Sequence, residues 1–468
     1  MRLLFAAFAI LLSCSAWSET SYLALYMSGA KIGYSSYSAA AVKLNGKPAS
    51  RNDSTMVMDI GLLGTPVKMK MDSSTWSSAG KPVKMTFHLE SAGRQQDVVA
   101  NFTGSTVNVL INNSGQKTTR TLKMPPGEVV DDPVALMLQG KMKPGAKKSF
   151  YVLDPMTIKF LKNEVRLVGK AKTKVNGRSY DAVLLEVDDT RTVTKIFTSA
   201  KGDLIKIESL MGIEMLPVSK AIALAPPGKY APSVDLAYST SLKTDKAIVD
   251  PASLTGLTVR VTAKNLKRIP NDGFQTTTNE GGSWIIEVHP PQLGAAESAS
   301  VVEAARQKPD WVKPSLHMPS DAKKFKDLAV QIVGDRQDVK SAALAVQRWV
   351  NQEMKPNAGI GVLRDATEVV QTKEGVCRDY AILTVTLLRA ARIPARLASG
   401  IVNWDGAFYY HAWAEAWDGS RWLGIDSTTD REQISAAHVK LGEGNVEEAF
   451  TFTFLDRAKI EVLKTKRE

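Results

Sequence analysis

The chain has 468 residues, too many for one ordinary domain, so two or three are expected. With 44% hydrophobic and 23% charged residues it has the balance of a globular protein, which excludes a fibrous or wholly disordered chain. The net charge of +12 is carried by scattered lysines without a clustered basic stripe, which argues against nucleic acid and for contact with anionic envelope polymers or membrane surfaces.

Residues 1–18 read as a signal peptide. Arg2 precedes an apolar stretch from Leu3 to Leu12, and Ala16-Trp17-Ser18 offers a small-residue cleavage site. The stretch is too short to span a bilayer, and no later one is long and apolar enough. The mature protein is therefore expected to be exported, periplasmic or secreted. A competing reading takes Leu11-Leu12-Ser13-Cys14 as a lipoprotein site that leaves Cys14 as an acylated anchor. The chain has only two cysteines, Cys14 and Cys377. Cleavage after Ser18 leaves one thiol, either a small buried core residue or a nucleophile.

Residues 19–235 are expected to form an antiparallel β-rich domain. Short alternating runs recur, as in Thr55–Ile60, Pro66–Met71, Pro82–Leu89, Asp97–Phe102 and Thr106–Ile111. Turn signals separate them at Ser91-Ala92-Gly93, Thr103-Gly104-Ser105, Asn113-Ser114-Gly115 and Asn176-Gly177. One short helix is predicted after Asp132-Pro133, ending near Gly140. This pattern loosely resembles the curved half-barrels of periplasmic lipoprotein carriers. A Pro/Gly-rich linker follows around Ala225-Pro226-Pro227-Gly228, then a small β module over 250–292 and a proline-punctuated connector over 293–319. From Asp321 the period becomes helical. Phe325, Leu328 and Ile332 share a face that stops at Gly334, and Val339 to Val350 mark a second helix. Asp365 with Glu368 reads as a capping box opening a third helix. A fourth begins near Cys377, and strands follow Pro394. Residues 320–440 form the last domain, and 441–468 are left as a tail.

Three blocks carry the chemistry: Gly375-Val376-Cys377-Arg378-Asp379-Tyr380-Ala381, then His411-Ala412-Trp413-Ala414-Glu415-Ala416-Trp417, then Trp422-Leu423-Gly424-Ile425-Asp426-Ser427-Thr428. With Ile393-Pro394-Ala395-Arg396 between the first two, they resemble the transglutaminase-like core of the papain-like superfamily in content and order. The resemblance covers roughly residues 320–440. It implies an α+β, papain-like catalytic domain with Cys377, His411 and Asp426 as the triad. Ser427 stands where many members of that family carry proline.

The same roles follow from the residues. The thiolate, not the thiol, is the nucleophile, and the first turn of a helix favours it. Gly375 would let the chain turn sharply into that helix. His411 would take the thiol proton and return it to the leaving amine, and Asp426 would hold the imidazole. The Cys377 backbone N–H would serve one side of an oxyanion hole. Trp349 and Trp413 are candidates for the second donor by residue type alone. Each residue also has a plainer role: a buried cysteine, a core histidine, and a turn-capping aspartate before Ser427-Thr428. Arg378 and Asp379 read as capping or surface charges. Glu415 shares the His411 face and either orders the site or pairs with Arg396. Tyr409, Tyr410, Trp413, Trp417 and Trp422 are wall or core aromatics.

No cofactor or metal is indicated. The five histidines (His88, His289, His317, His411 and His438) lack metal-ligand spacing, Gly140 and Gly145 are not followed by a phosphate-loop Gly-Lys, and no Gly-x-Ser-x-Gly elbow occurs. The expected function is acyl transfer from a peptide or protein amide through a Cys377 thioester, with hydrolysis slightly favoured over crosslinking. A non-catalytic envelope scaffold is the alternative. Asp418-Gly419 predicts a two-residue type I′ hairpin, which would place His411 directly across from Asp426 on one sheet face, with the Cys377 helix packed on that same face.

Overall fold

The computed structural model describes residues 20–27, 29–62, 65–91, 94–130, 143–189, 193–209, 212–226, 241–263, 266, 268–293, 298–358, 360, 363–449 and 458–467. The signal segment with Cys14, the helix predicted after Asp132-Pro133 and most of the Pro/Gly linker lie outside the described residues. The chain divides into two compact units after residue 236. No helix among the described residues is long and apolar enough to cross a membrane.

The first unit is one antiparallel sheet of fourteen strands. In chain order, β1–β14 are Ser21–Met27, Ala30–Leu44, Lys47–Leu62, Thr65–Ser78, Lys81–Ser91, Arg94–Thr103, Thr106–Asn113, Gln116–Lys123, Lys147–Asp154, Lys159–Val175, Arg178–Asp188, Val193–Thr198, Leu204–Glu208 and Ile213–Val218. β1 to β8 run outward as a meander. β9 to β14 run back from the other edge, and β14 pairs with β1 from Tyr22↔Val218 to Met27↔Ile213. Burial has period two. Met56 and Met58, Met69 and Met71, Phe87 and Leu89, and Val107, Val109 and Ile111 line the covered face. The turns set the register. Asn176 and Gly177 have φ of 49° and 79°, and Val175 pairs with Arg178 across a two-residue loop. Asn45-Gly46 and Ser114-Gly115 close two further hairpins in the same way. A short helix, α1 (Lys220–Leu224), follows β14, and Lys31 Nζ donates to its C-terminal carbonyls at Ile222 (2.6 Å) and Ala223 (2.8 Å).

The second unit has three layers. Its central sheet contains β15 (Leu242–Lys243), β21 (Ala395–Trp404), β22 (Ala407–Trp417), β23 (Trp422–Ile425) and β24 (His438–Gly444), in the order β15-β22-β21-β24 with β23 also on β22. Helices α2 (Val301–Gln307), α3 (Lys323–Val333), α4 (Val339–Glu353), α5 (Ala366–Thr372) and α6 (Cys377–Ala390) precede β21 in the chain. Phe325, Val346, Ile382, Leu383 and Leu387 from the helices bury with Ala412, Ala414 and Ala416 of β22. Each such aliphatic side chain contributes about 1.5–3 kcal/mol. Asp338 and Asp365 cap α4 and α5 through the backbone N–H groups of Ser341 (2.8 Å) and Glu368 (3.0 Å).

The opposite face of the central sheet is covered by a second one, β16 (Gly256–Thr262), β17 (Gln275–Glu280), β18 (Ser283–Val288) and β25 (Lys459–Lys466). Three expected segments are revised here. Residues 250–292 share one core with the central sheet, since Val259, Val261, Phe274 and Ile286 bury with Ile401, Phe408, Trp413 and Val439. Residues 441–468 are not a tail. β24 extends to Gly444, and Ile460 and Val462 of β25 complete the β16 face, an apolar surface three strands would leave open. The connector 293–319 contains α2, capped by the Ser300 hydroxyl.

Candidate active site

The segment leading into α6 is fixed from below. β20 (Glu374–Gly375) pairs in parallel with β19 (Lys355–Pro356), and Asn357 N donates to the Gly375 carbonyl at 2.9 Å. Asp379, in the first turn of α6, accepts from Val376 N at 3.0 Å. Arg364 pairs with it most closely, its Nε and Nη2 3.3 and 3.1 Å from the two carboxylate oxygens, and Arg378 Nε lies 3.7 Å from Oδ1. Arg364 also donates to the Glu374 carbonyl and, at 3.1 Å, to the Thr372 hydroxyl. Both Arg364 and Asp379 are fully buried, so Asp379 is not a surface charge. The role expected for Gly375 also changes. It lies in an extended strand, and a Cβ there would come within 2.5 Å of the Asp379 Cβ and 2.9 Å of Arg364 Nη2. The glycine makes room for the buried ion pair rather than for a sharp turn.

The structure brings Cys377, His411 and Asp426 together. Cys377 is half-buried as a residue with its thiol turned inward, hydrogen-bonded to the His411 ring and to the Ala412 backbone N–H. His411 Nε2 lies 2.8 Å from Asp426 Oδ2, which leaves Nδ1 to face the sulfur. Asp426 Oδ1 accepts from Thr428 N (3.0 Å) and Thr428 Oγ1 (2.7 Å). The turn-capping role and the imidazole-holding role therefore coexist, one on each oxygen. α4 holds this loop from behind. Gln347 Nε2 donates to the Asp426 carbonyl at 3.1 Å and Asn351 Nδ2 to that of Ser427 at 3.1 Å. Ser427 Oγ meets Thr384 Oγ1 of α6 at 2.8 Å, a bond proline would lack.

The electrostatics favour an ion pair. Burial pushes the thiol up, but the His411 hydrogen bond and charge, the Ala412 N–H and the Arg378 charge more than offset it and hold Cys377 below the usual thiol range. Burial alone would lower His411, yet the Asp426 carboxylate and the sulfur raise it to about 10. Asp426 is held well below the carboxylate range, because the pull of His411 and His438 exceeds the cost of burial. A thiolate beside an imidazolium is the state these shifts select.

The hairpin reaches this arrangement by a different register from the one expected. Trp417 pairs with Trp422 and Ala414 with Ile425, so the loop is Asp418–Arg421 and every pair is displaced by two residues. Asp418 Oδ1 accepts from Ser420 N and Arg421 N, both at 2.9 Å, and Asp418 does not adopt the positive φ of a type I′ turn. A slip of two preserves the faces, so the dyad survives, although Asp426 lies just beyond β23 rather than across from His411. The helix expectation is revised too. α6 packs on the Ala412 face, not the His411 face. Its first residue meets His411 at the edge of β22, between Phe408, which pairs with β15, and Ala414, which pairs with β23.

One site residue was missed. His438, at the start of β24, has Nε2 3.3 Å from Asp426 Oδ2 and Nδ1 3.1 Å from the Ser435 carbonyl. Only the pairing of β24 with β21, with its bulge at Ser399/Gly400, brings it there, and no local pattern announces it. Trp413 is buried, stacks on His411 at 22° with centroids 6.3 Å apart, and meets His438 edge-on at 5.3 Å. Its Nε1 has no hydrogen-bond partner among the described residues. Trp349 packs on the helical core, with Lys373 Nζ 5.9 Å from its ring centroid. Neither indole is brought to the sulfur by a contact of its own. Trp417 and Trp422 pack together far along the hairpin, with Trp311 on Trp422. Tyr409 is half-buried on the His411 face beside Trp404, which is 59% exposed.

Glu415 does pair with Arg396, at 2.7 Å, and the pair belongs to a larger cluster. Arg396 and Lys440 lie between Asp272, Glu415 and Glu443, at 2.6–3.2 Å. The two cations occupy the space a metal would need. The other tight group, His411, Asp426 and His438, presents ligand-type atoms within 4.8 Å of one another.

Residues 326–427 match the transglutaminase-like superfamily. This segment is a transglutaminase-like domain. Residues 21–214 match a family of unknown function, DUF3108. An uncharacterized protein of Mycobacterium leprae is 29% identical over 146 residues, 28% of this chain and 50% of its own. One from Mycobacterium tuberculosis is 33% identical over 91 residues, 16% of this chain and 29% of its own. The chain thus spans half or less of these curated relatives. Among solved structures, a candidate cysteine protease from Cytophaga hutchinsonii is 20% identical at a TM-score of 0.32, covering 46% of this chain and 86% of that one. A β-barrel-like protein of the DUF1849 family from Brucella abortus is 13% identical at 0.31, covering 43% and 94%.

Proposed function

We propose that the chain is an exported cysteine acyl-transfer enzyme in which Cys377 is the nucleophile, His411 the general base and acid, and Asp426 the group that orients His411. One observation carries this reading: the Cys377 thiol bonds to an imidazole whose far nitrogen is 2.8 Å from a carboxylate. Nucleophile, base and orienting acid in series are what covalent amide chemistry requires.

The thiolate adds to an amide carbonyl, and a C–S bond forms. His411 gives its Nδ1 proton to the departing nitrogen as the C–N bond breaks, leaving a thioester. His411 then accepts a proton from water or an amine whose oxygen or nitrogen adds to the thioester carbonyl; the C–S bond breaks, the Cys377 thiolate leaves, and the product is the acid or a crosslink. Water is the default acceptor, so hydrolysis of a peptide or small amide is favoured over crosslinking. The positive chain and its signal-like start support a substrate in the cell envelope.

The test is the rate at which iodoacetamide labels Cys377 at neutral pH, followed by intact-mass trapping of a thioester on peptidoglycan peptides, envelope proteins and small amides. Fast labelling and an adduct that dissolves in hydroxylamine are expected. A labelling rate no better than free cysteine, with no adduct on any of the three classes, would favour a binding or scaffold role.

A further inference from the structure

On the face of the central sheet that carries His411, exposure rises in one direction. β21 and β22 pair without a bulge, so Gly400, Val402 and Trp404 of β21 share a face with Tyr409, His411 and Trp413 of β22. Trp413 is 1% exposed and the His411 side chain 13%, whereas Tyr409 is half-buried and Trp404 is 59% exposed. The site is closed at its Trp413 end and opens toward the hairpin tip. Gly400 lies directly across from His411, so β21 puts no side chain beside the imidazole.

Trp404 is held in place at that open end. Asp405-Gly406 closes a two-residue turn with φ of 47° and 79°, and Trp404 pairs with Ala407 across it. The Trp404 ring meets Tyr409 at 5.8 Å between centroids and at 59°, so the two form an open corner. Tyr409 precedes His411 by two residues, about 7 Å along the strand, which puts the corner about 10–13 Å from the imidazole. Neither ring carries a charge, and Val402 on the same face is apolar. In an extended chain, a side chain two residues from the reacting carbon reaches about that far.

We propose that Trp404 and Tyr409 select the substrate, binding an apolar side chain carried about two residues from the amide that Cys377 attacks. This rests on the acyl-transfer reading and adds a substrate class to it: peptides with an aromatic or long aliphatic residue near the reacting amide. Two rings set at such an angle receive a third ring edge-on or in an offset stack, and covering the open face of Trp404 removes apolar surface from water. Trp404 stands away from the sulfur, so it acts on binding and leaves the reactivity of the thiol alone.

The experiment labels the full-length chain at neutral pH with reagents from which Cys377 displaces chloride. Acetyl-Phe-Gly chloromethyl ketone and chloroacetyl-Gly-Phe amide place a phenyl ring on either side of the reacting carbon, and their Asp counterparts carry a carboxylate there instead. At least one Phe reagent should label with saturation, with kinact/KI at least about tenfold above that of its Asp counterpart. Trp404→Ala should remove at least about fivefold of that preference, through KI, and leave the iodoacetamide rate within about twofold, while Trp404→Phe keeps most of the preference. Trp404 is exposed, so neither substitution empties the core. Fast iodoacetamide labelling with no Phe preference, or a preference that survives in Trp404→Ala, would overturn this selection and leave the role of the thiol standing. Slow iodoacetamide labelling of the wild type would remove the acyl-transfer reading and this inference with it. Stronger labelling by a chloroacetyl-Gly glucosylamide than by either Phe reagent would make the recognised group a sugar and overturn the peptide assignment.

Discussion

The two units solve register in opposite ways. In the first, strands adjacent in sequence pair throughout except where β14 closes on β1, and a two-residue turn such as Asn176-Gly177 decides which side chains face each other. In the second, the residues that make up or support the site come from positions 364, 377, 411, 426 and 438, on five different segments. Their alignment depends on buried polar contacts, Arg364 with Asp379 and Gln347 with the Asp426 carbonyl, rather than on turns. A meander can be built one hairpin at a time, whereas the site has to be held by bonds that exist only when the unit is complete.

The largest effect expected falls on that site. Cys377→Ala should reduce thioester formation and acyl transfer by at least about 10⁴-fold while the unit keeps its fold, because the side chain lost is small. Intact mass and a urea unfolding curve check the two halves. Turnover near wild type would remove the thiol from the chemistry.

Arg364→Ala comes next. It leaves the buried Asp379 without its two closest cationic contacts, with Arg378 Nε at 3.7 Å and the Val376 N–H as what remains. A destabilisation of about 3–5 kcal/mol is expected in the unfolding transition of the second unit, with the transition of the fourteen-stranded sheet unmoved. A cost below about 1 kcal/mol would mean that the pair does not anchor α6.

These expectations mark what the sequence made legible. The strand alternation, the α4 and α5 caps and the His-x-Trp and Asp-x-Thr blocks are local, so the architecture and three site residues could be named from the chain alone. Non-local relations could not. His438 reaches Asp426 through strand pairing, Gly375 is required by an arginine eleven residues earlier, and β25 pairs with β16, about 200 residues upstream. Asp418-Gly419 misled because an aspartate side chain that binds Ser420 N and Arg421 N competes with the two-residue turn the same dipeptide otherwise forms.

The ion pair makes a prediction about pH. Cys377, lowered in the fold, contributes stability that is present above the unfolded thiol value of about 8.5 and is lost as pH falls. His411, raised to about 10, contributes stability that is complete below its unfolded value and is lost as pH rises through its folded one. Between about 6.5 and 8.5, where the folded thiol is ionised, the folded and unfolded pairs each hold one proton, so the two shifts offset each other and the stability of the second unit should vary little there. In Cys377→Ser the sulfur's share of the His411 shift is lost and the Asp426 share remains, so the folded state still binds the His411 proton more tightly than the unfolded one. Stability should then fall with rising pH across that window, by no more than about 1.4 kcal/mol per unit. Parallel pH curves for wild type and variant would rule out the thiolate–imidazolium state.

The smallest effect separates the two kinds of turn. Gly177 sits at φ 79° with open space where a Cβ would go. Gly177→Ala therefore meets only backbone strain, about 1 kcal/mol, and the register it sets should survive. Gly419 sits at φ 103°, and its Cβ would lie 2.4 Å from the Ala299 Cβ, on a segment whose N–H donates to the Asp418 carbonyl at 2.8 Å. Neither side of that contact is a flexible side chain, so backbone has to move. Gly419→Ala should cost about 2 kcal/mol or more and displace the segment that leads into α2. Urea unfolding of the two variants measures the difference directly, because each substitution lies in a different unit. Equal costs would mean that the Asp418 loop is as self-contained as the Asn176 hairpin, and that the hairpin carrying His411 owes its register to the turn rather than to the contacts around it.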